Sequence, residues 1–106
     1  MIKRNWHGRI LHEDAASHDV LLREVIIPRI AAKRLSGLRS IEILRRDHSD
    51  DVEVVTIMSF DSFDDIVAFQ GEDYVRAYVP EEAQRLLCRW DHVSAHYRVV
   101  DSHYYR

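Results

Sequence analysis

The sequence predicts an α+β domain: a four-stranded antiparallel sheet with its helices packed on one face, in the order βαββαβ. Three observations predict it. Residues 51–59 alternate apolar and polar and then turn apolar on both faces (Val54, Val55, Ile57, Met58), as a strand covered on both sides does. The segment that follows, Phe60-Asp61-Ser62, opens a short helix that stops at Gly71, so a βα unit carries both of its boundary signals. A second alternating run, residues 93–100, closes the ordered part of the chain.

Taken in order, residues 2–8 alternate, with Ile2, Arg4 and Trp6 on one side and Lys3, Asn5 and His7 on the other; Gly8 is the expected end of this strand. Residues 12–27 place Ala15, Ala16, Val20, Leu21, Leu22, Val25 and Ile26 at helical spacing. Pro28 has no N–H and its ring crowds the carbonyl of Glu24, so a break or kink is expected near Ile27, with residues 29–34 continuing as further turns and Ser36-Gly37 stopping them. Residues 38–46 and 51–59, joined by a polar loop, read as a hairpin. Asp61 or Ser62 caps the next helix, with Asp64 and Asp65 in its first turn. Residues 72–78 read as one or two helical turns that put Tyr74 and Tyr78 on one face. Pro80 starts another helix, with Ala83, Leu86, Leu87 and Trp90 as its stripe. The last strand carries Val93, Ala95, Tyr97 and Val99 on one face and His96 on the other; residues 100–106 form a polar tail. The whole, residues 1–106, is one ferredoxin-like domain.

In such a single-layer sandwich the face away from the helices should be polar. Strands one, three and four carry apolar or aromatic residues on both faces, and a second copy packed face to face would cover them. A homodimer through the sheet is therefore expected.

Composition narrows the function classes. The chain of 106 residues has a net charge of −3 with its histidines neutral, and its acids and bases are interspersed. No basic stripe is present to neutralise phosphates, so nucleic acid is not an expected partner. No apolar run approaches membrane-spanning length and the N-terminal residues have no apolar leader core, so a cytoplasmic location is expected and a membrane is not. Cys88, the one cysteine, falls in a helical pattern and is expected to pack as a small hydrophobe.

Several pieces, in this order and spacing, resemble the antibiotic-biosynthesis-monooxygenase-like dimeric α+β barrels: Trp6-His7-Gly8-Arg9, Ser36-Gly37, Phe60-Asp61-Ser62, Ala68-Phe69-Gln70-Gly71-Glu72-Asp73, residues 77–80 and His96-Tyr97. The resemblance covers nearly the whole chain and implies a homodimeric barrel. It implies a cofactor-independent monooxygenase-like activity on a small aromatic or polycyclic substrate. The alternative on the same fold is a non-catalytic small-ligand-binding or stress-responsive dimer; the family's fold does not decide between them.

The candidate catalytic residues are His96, Asn5 and His7. Asn5 is similar to the asparagine that active members place on the first strand, or it makes a local hydrogen bond. His96 and His7 lie on strands that neighbour each other in this topology, so two imidazoles could meet as acid and base, or each could be structural. Trp6, Phe60, Tyr74 and Tyr78 are candidate substrate-binding residues, or packing ones. Phe60 stands where the family usually has tryptophan. Neither metal nor haem is expected: no third ligand converges on the histidine pair, and no histidine lies between Asp61 and Arg89, where haem-degrading relatives carry the ligand.

Overall fold

A computed structural model describes all 106 residues. The elements are β1 (Ile2–Leu11), a 3-10 turn (His12–Asp14), α1 (Ala15–Leu21), a π-helical turn (Leu22–Ile26), α2 (Ile27–Ala31), β2 (Leu38–Asp47), β3 (Asp51–Phe60), α3 (Phe63–Gln70), α4 (Glu81–Gln84), β4 (Leu87–Trp90) and β5 (Ala95–Arg98). The sheet runs β2-β3-β1, and both β4 and β5 pair with the remaining edge of β1. All pairs are antiparallel. The architecture is the ferredoxin-like α+β one, with its last strand in two pieces.

Those two pieces correct the sequence reading. β1 does not end at Gly8; it continues to Leu11, and β4 pairs with Gly8, Arg9 and Ile10. Residues 86–90, expected as a helix, lie beyond a helix of only four residues, and Leu87–Trp90 form an edge strand. Their i, i+3, i+4 spacing fits a helix, but the open hydrogen-bonding edge of β1 outweighs that local preference. Gly8 is needed there: a Cβ on it would fall 2.6 Å from the Trp6 ring and 2.9 Å from Leu87. Cys88 is exposed on this strand rather than packed in a helix, and its thiol meets the Arg9 carbonyl at 3.3 Å. Residues 72–78 are not helical either. Val75, Arg76 and Ala77 pair instead with residues 92–94: Ser94 N–H donates to Val75 O, Ala77 N–H to His92 O, and Arg76 bridges Val93. These bonds replace the ones a helix would need.

The long helical segment does not break at Pro28. A π turn immediately before it absorbs the fault: Ile27 N–H reaches back five residues to Leu22 O, and the backbone stays right-handed helical at Ile26 and Ile27. Widening the turn moves the upstream carbonyls away from the proline ring. His18, Leu22, Ile26 and Ile30, four apart, form the buried stripe, whereas Val20 is half exposed. The segment is closed by Arg34, in the left-handed region at φ 51°, and not by Gly37. Gly37 serves a close approach: a Cβ there would lie 2.0 Å from the Asp65 carboxyl carbon. Asp65 is held in that place by the α3 cap, in which Ser62 Oγ accepts from Asp65 N–H and donates to Asp65 Oδ2 at 2.8 Å.

Parity along the strands divides the sheet. Ile2, Arg4, Trp6, Gly8 and Ile10 of β1 stand opposite Phe60, Met58, Thr56, Val54 and Val52 of β3, and this side faces the helices. The core is here, thirteen apolar residues that include Ile10, Val54, Phe60 and Ile66. The outer side differs from the apolar surface expected of it. Val55 and Ile57 are half-buried there, and Leu44 and Tyr97 are exposed. Around them, Lys3 Nζ donates to Ser59 Oγ at 2.7 Å, Arg9 pairs with Asp51 at 2.6 Å, and Glu53 takes His48 at 2.9 Å and His7 at 3.1 Å.

Candidate functional site

A cavity of about 70 Å³ lies between the helix-facing side of the sheet and the α1–α2 segment. Its wall is mostly aliphatic and aromatic: Leu22, Ile26 and Ile30 from the helix, Ile41 and Met58 from the sheet, and Phe69 from α3. The π turn contributes Leu22 and Ile26, so the irregularity that accommodates Pro28 also shapes the cavity. Tyr78, Val79 and Pro80 close one side. Four polar side chains reach it: Arg4, His18, Thr56 and Ser94.

Arg4 is 3% exposed in mid-sheet. Nη1 donates to Tyr74 O and meets His96 Nε2 at 2.8 Å, Nη2 donates to Arg76 O at 2.9 Å, and the guanidinium lies 5.6 Å from the centre of the Phe69 ring. None of these partners is a carboxylate. Burial alone pulls the guanidinium down to about 10, where it is still charged at neutral pH. Because arginine can only donate, His96 Nε2 must accept, which places the His96 proton on Nδ1. Burial first, and the Arg4 charge second, lower the His96 pKa and hold the imidazole neutral.

His18 enters from α1, 2% exposed, and its Nδ1 has no hydrogen-bond partner. Burial lowers its pKa, against the raising effect of Asp19; Arg45, which ion-pairs with Asp19, lowers it further. A neutral imidazole and a fixed cation thus share one apolar cavity. In a dry surrounding such groups act on a ligand more strongly than they would in water.

The structure separates the residues singled out from the sequence. Trp6 and Tyr78 line the cavity, and Trp6 Nε1 is anchored to Asp91 O at 2.8 Å. Tyr74 and His96 sit behind Arg4, ring to ring at 5.3 Å, with Phe63 packed against both; neither borders the cavity. Phe60 is fully buried against Phe69, with ring centres 5.9 Å apart, as part of the core rather than of the wall. Asn5 and His7 face outward, where they border a shallow groove with Tyr97. His7 therefore does not meet His96: β5 pairs His96 with Arg4, and odd and even positions of β1 point to opposite sides. Glu53, held by His48 and His7, is drawn down to about 2. No three His, Cys, Asp or Glu side chains are disposed to share a metal ion, and no helix is long and apolar enough to cross a membrane.

Sequence reading missed Arg4 and His18 as site residues. The signal for His18 was present: it falls on the four-residue repeat of Leu22, Ile26 and Ile30. Arg4 had a weaker one, a charge between Ile2 and Trp6 on the same face of a strand.

No protein-family profile matches the chain, and no curated protein sequence does. Solved structures match its fold. A Bacillus cereus protein provisionally assigned as an antibiotic biosynthesis monooxygenase superposes over 99% of this chain and 96% of its own, with TM-score 0.67 and 14% identity. A dimeric ferredoxin-like protein from an uncultured marine organism superposes over the full length of both chains, with TM-score 0.54 and 15% identity. The chain thus has the ferredoxin-like α+β fold that the antibiotic biosynthesis monooxygenase-like protein also has.

Proposed function

We propose that this protein is a homodimeric α+β barrel that binds a small, largely apolar aromatic molecule beneath the α1–α2 segment and oxidises it without a cofactor, as a monooxygenase. The observation that carries the reading is the convergence of neutral His18 and charged Arg4 on one apolar cavity. An unprotonated imidazole can take a proton from an activated methylene, and a guanidinium can stabilise the anion that forms. The anion then reduces dioxygen: the methylene carbon becomes a carbonyl, one oxygen atom stays in the product, and the other leaves as water with the two methylene hydrogens. His96, hydrogen-bonded to Arg4, is a positioning residue in this scheme. Asn5 and His7, on the outer side, take part only if a partner subunit or a moving segment brings ligand to them.

Oxygen uptake on monocyclic hydroxyaromatics with an activated methylene tests the activity. The expected result is turnover that falls about 100-fold or more in His18→Phe. One observation favours the non-catalytic alternative: a cavity of about 70 Å³ is under half the roughly 150 Å³ that holds benzene, so an aromatic ring, single or fused, would need the long helix to move outward. Tight binding of a small aromatic with no oxygen uptake would establish that alternative.

The dimer reading is supported by the half-buried Val55 and Ile57 and the exposed Leu44 and Tyr97 on the outer sheet face. Light scattering at micromolar concentration should give about twice the chain mass of 12.5 kDa, and Leu44→Glu should reduce it toward one chain mass. A wild-type mass of one chain would remove the dimer from the reading.

A further inference from the structure

We propose that the natural ligand carries a carboxylate, and that it pairs with the unused N–H donors of the Arg4 guanidinium. This rests on the small-ligand reading of the cavity and adds the ligand's charge to it.

A guanidinium has five N–H donors. Three are engaged, with Tyr74 O, Arg76 O and His96 Nε2. Nε–H and one Nη2–H donate to nothing in the protein, and a carboxylate is the partner best suited to unused guanidinium donors. Nε is not sealed in either: the buried side-chain atoms left without a partner are Asn5 Oδ1 and His18 Nδ1, and the unbonded Arg4 Nε is not among them. Arg4 borders the cavity, so a ligand held there lies next to the guanidinium side chain.

The protein sets no carboxylate against Arg4: its three hydrogen-bond partners are two carbonyls and an imidazole. Asp19 is tied to Arg45, Glu82 to Arg29, and Asp65 to Ser62. A buried cation without a counter-ion is costly, and removing that cost is what a bound anion would contribute. The rest of the wall suits a short apolar body, which makes the ligand a small monocyclic or branched acid. A purely structural Arg4, tying residues 74–76 to the sheet, would need only the three bonds it already makes.

The test compares benzoate with its uncharged isostere benzamide by isothermal titration, and follows the Arg4 Nε–H resonance by NMR. Wild type should bind benzoate at least tenfold more tightly than benzamide, and the Nε–H signal should shift with benzoate. Arg4→Met, similar in length and uncharged, should lose that preference while staying folded by circular dichroism. Arg4→Lys, which keeps the charge without the fork, should retain only part of it. If Arg4→Met does not fold, the two ligands on wild type and the Nε–H shift decide alone. Equal binding of benzoate and benzamide, or benzoate binding that leaves the Nε–H signal still, overturns the carboxylate inference and leaves the small-ligand reading standing. Failure of benzoate, benzamide and phenol alike to bind overturns both.

Discussion

Phe60→Ala will lower folding stability by about 3–5 kcal/mol, the range for emptying a fully buried aromatic site. The ring is completely enclosed, opposite Ile2 on β1, and packs on Phe69 of α3, so its loss opens a void where sheet and helix meet. Phe69 also borders the ligand cavity, but Phe60 does not. Denaturant unfolding of the variant should therefore show the full loss. Affinity for a small aromatic should change less than it does in Trp6→Ala, which cuts into the wall itself. A stability loss under about 1 kcal/mol together with abolished ligand binding would put Phe60 back among the substrate-binding residues, for which the sequence made it a candidate.

How far the sequence could be read depends on whether a residue's partner is local. β1, the β2–β3 hairpin and α3 follow from alternation, a polar loop, and the Ser62 and Gly71 signals, all of which act within a few residues. The split of the last strand does not. Ala83, Leu86, Leu87 and Trp90 carry a sound helical pattern, and only the edge of a strand some eighty residues away makes an extended chain the better choice. Residues 72–78 fail in the same way, since their hydrogen bonds go to residues 92–94. Pro28 shows the reverse: the conflict was visible, but a helix can answer a proline with a kink, a break or a π turn, and packing chooses among these.

The candidate site was legible in part, for a parity reason. Alternation puts Trp6 and Arg4 on one face and Asn5 and His7 on the other, and pairing alone could not say which face meets the helices. The β1–β5 register then sets His96 opposite Arg4, so the histidine expected to meet His7 meets a buried arginine instead. His18 was hidden by its type: a histidine on an aliphatic stripe counts against the stripe in any hydrophobic pattern, although its place in the repeat is regular.

The other large effect expected is loss of stability in mild acid, with His18 as a main cause. Burial holds its folded pKa below the ordinary 6.5. Below that value the unfolded chain takes up a proton that the folded one resists. The unfolded state then binds more protons, so stability rises with pH in this range and levels off above it. The slope should approach about 1.4 kcal/mol per pH unit for each such histidine. His96, whose pKa burial and Arg4 also lower, adds to it with the same sign. Glu53 acts in a different window. Bound by His48 and His7, it titrates at about 2 in the folded protein against an ordinary 4.5, so its contribution is whole above 4.5 and is lost as pH falls toward 2. Urea midpoints measured from pH 8 to pH 3 should thus be flat above neutrality and decline in two stages. His18→Phe fills a similar shape without titrating, and should reduce the first stage to the part that His96 contributes while leaving the second. Glu53→Gln should weaken the second and leave the first. A His18→Phe curve that parallels wild type between pH 6.5 and 5 would mean that His18 takes up its proton in the folded state as readily as in the unfolded. A charged imidazole in the cavity cannot act as the base, and the proposed chemistry would fall with it.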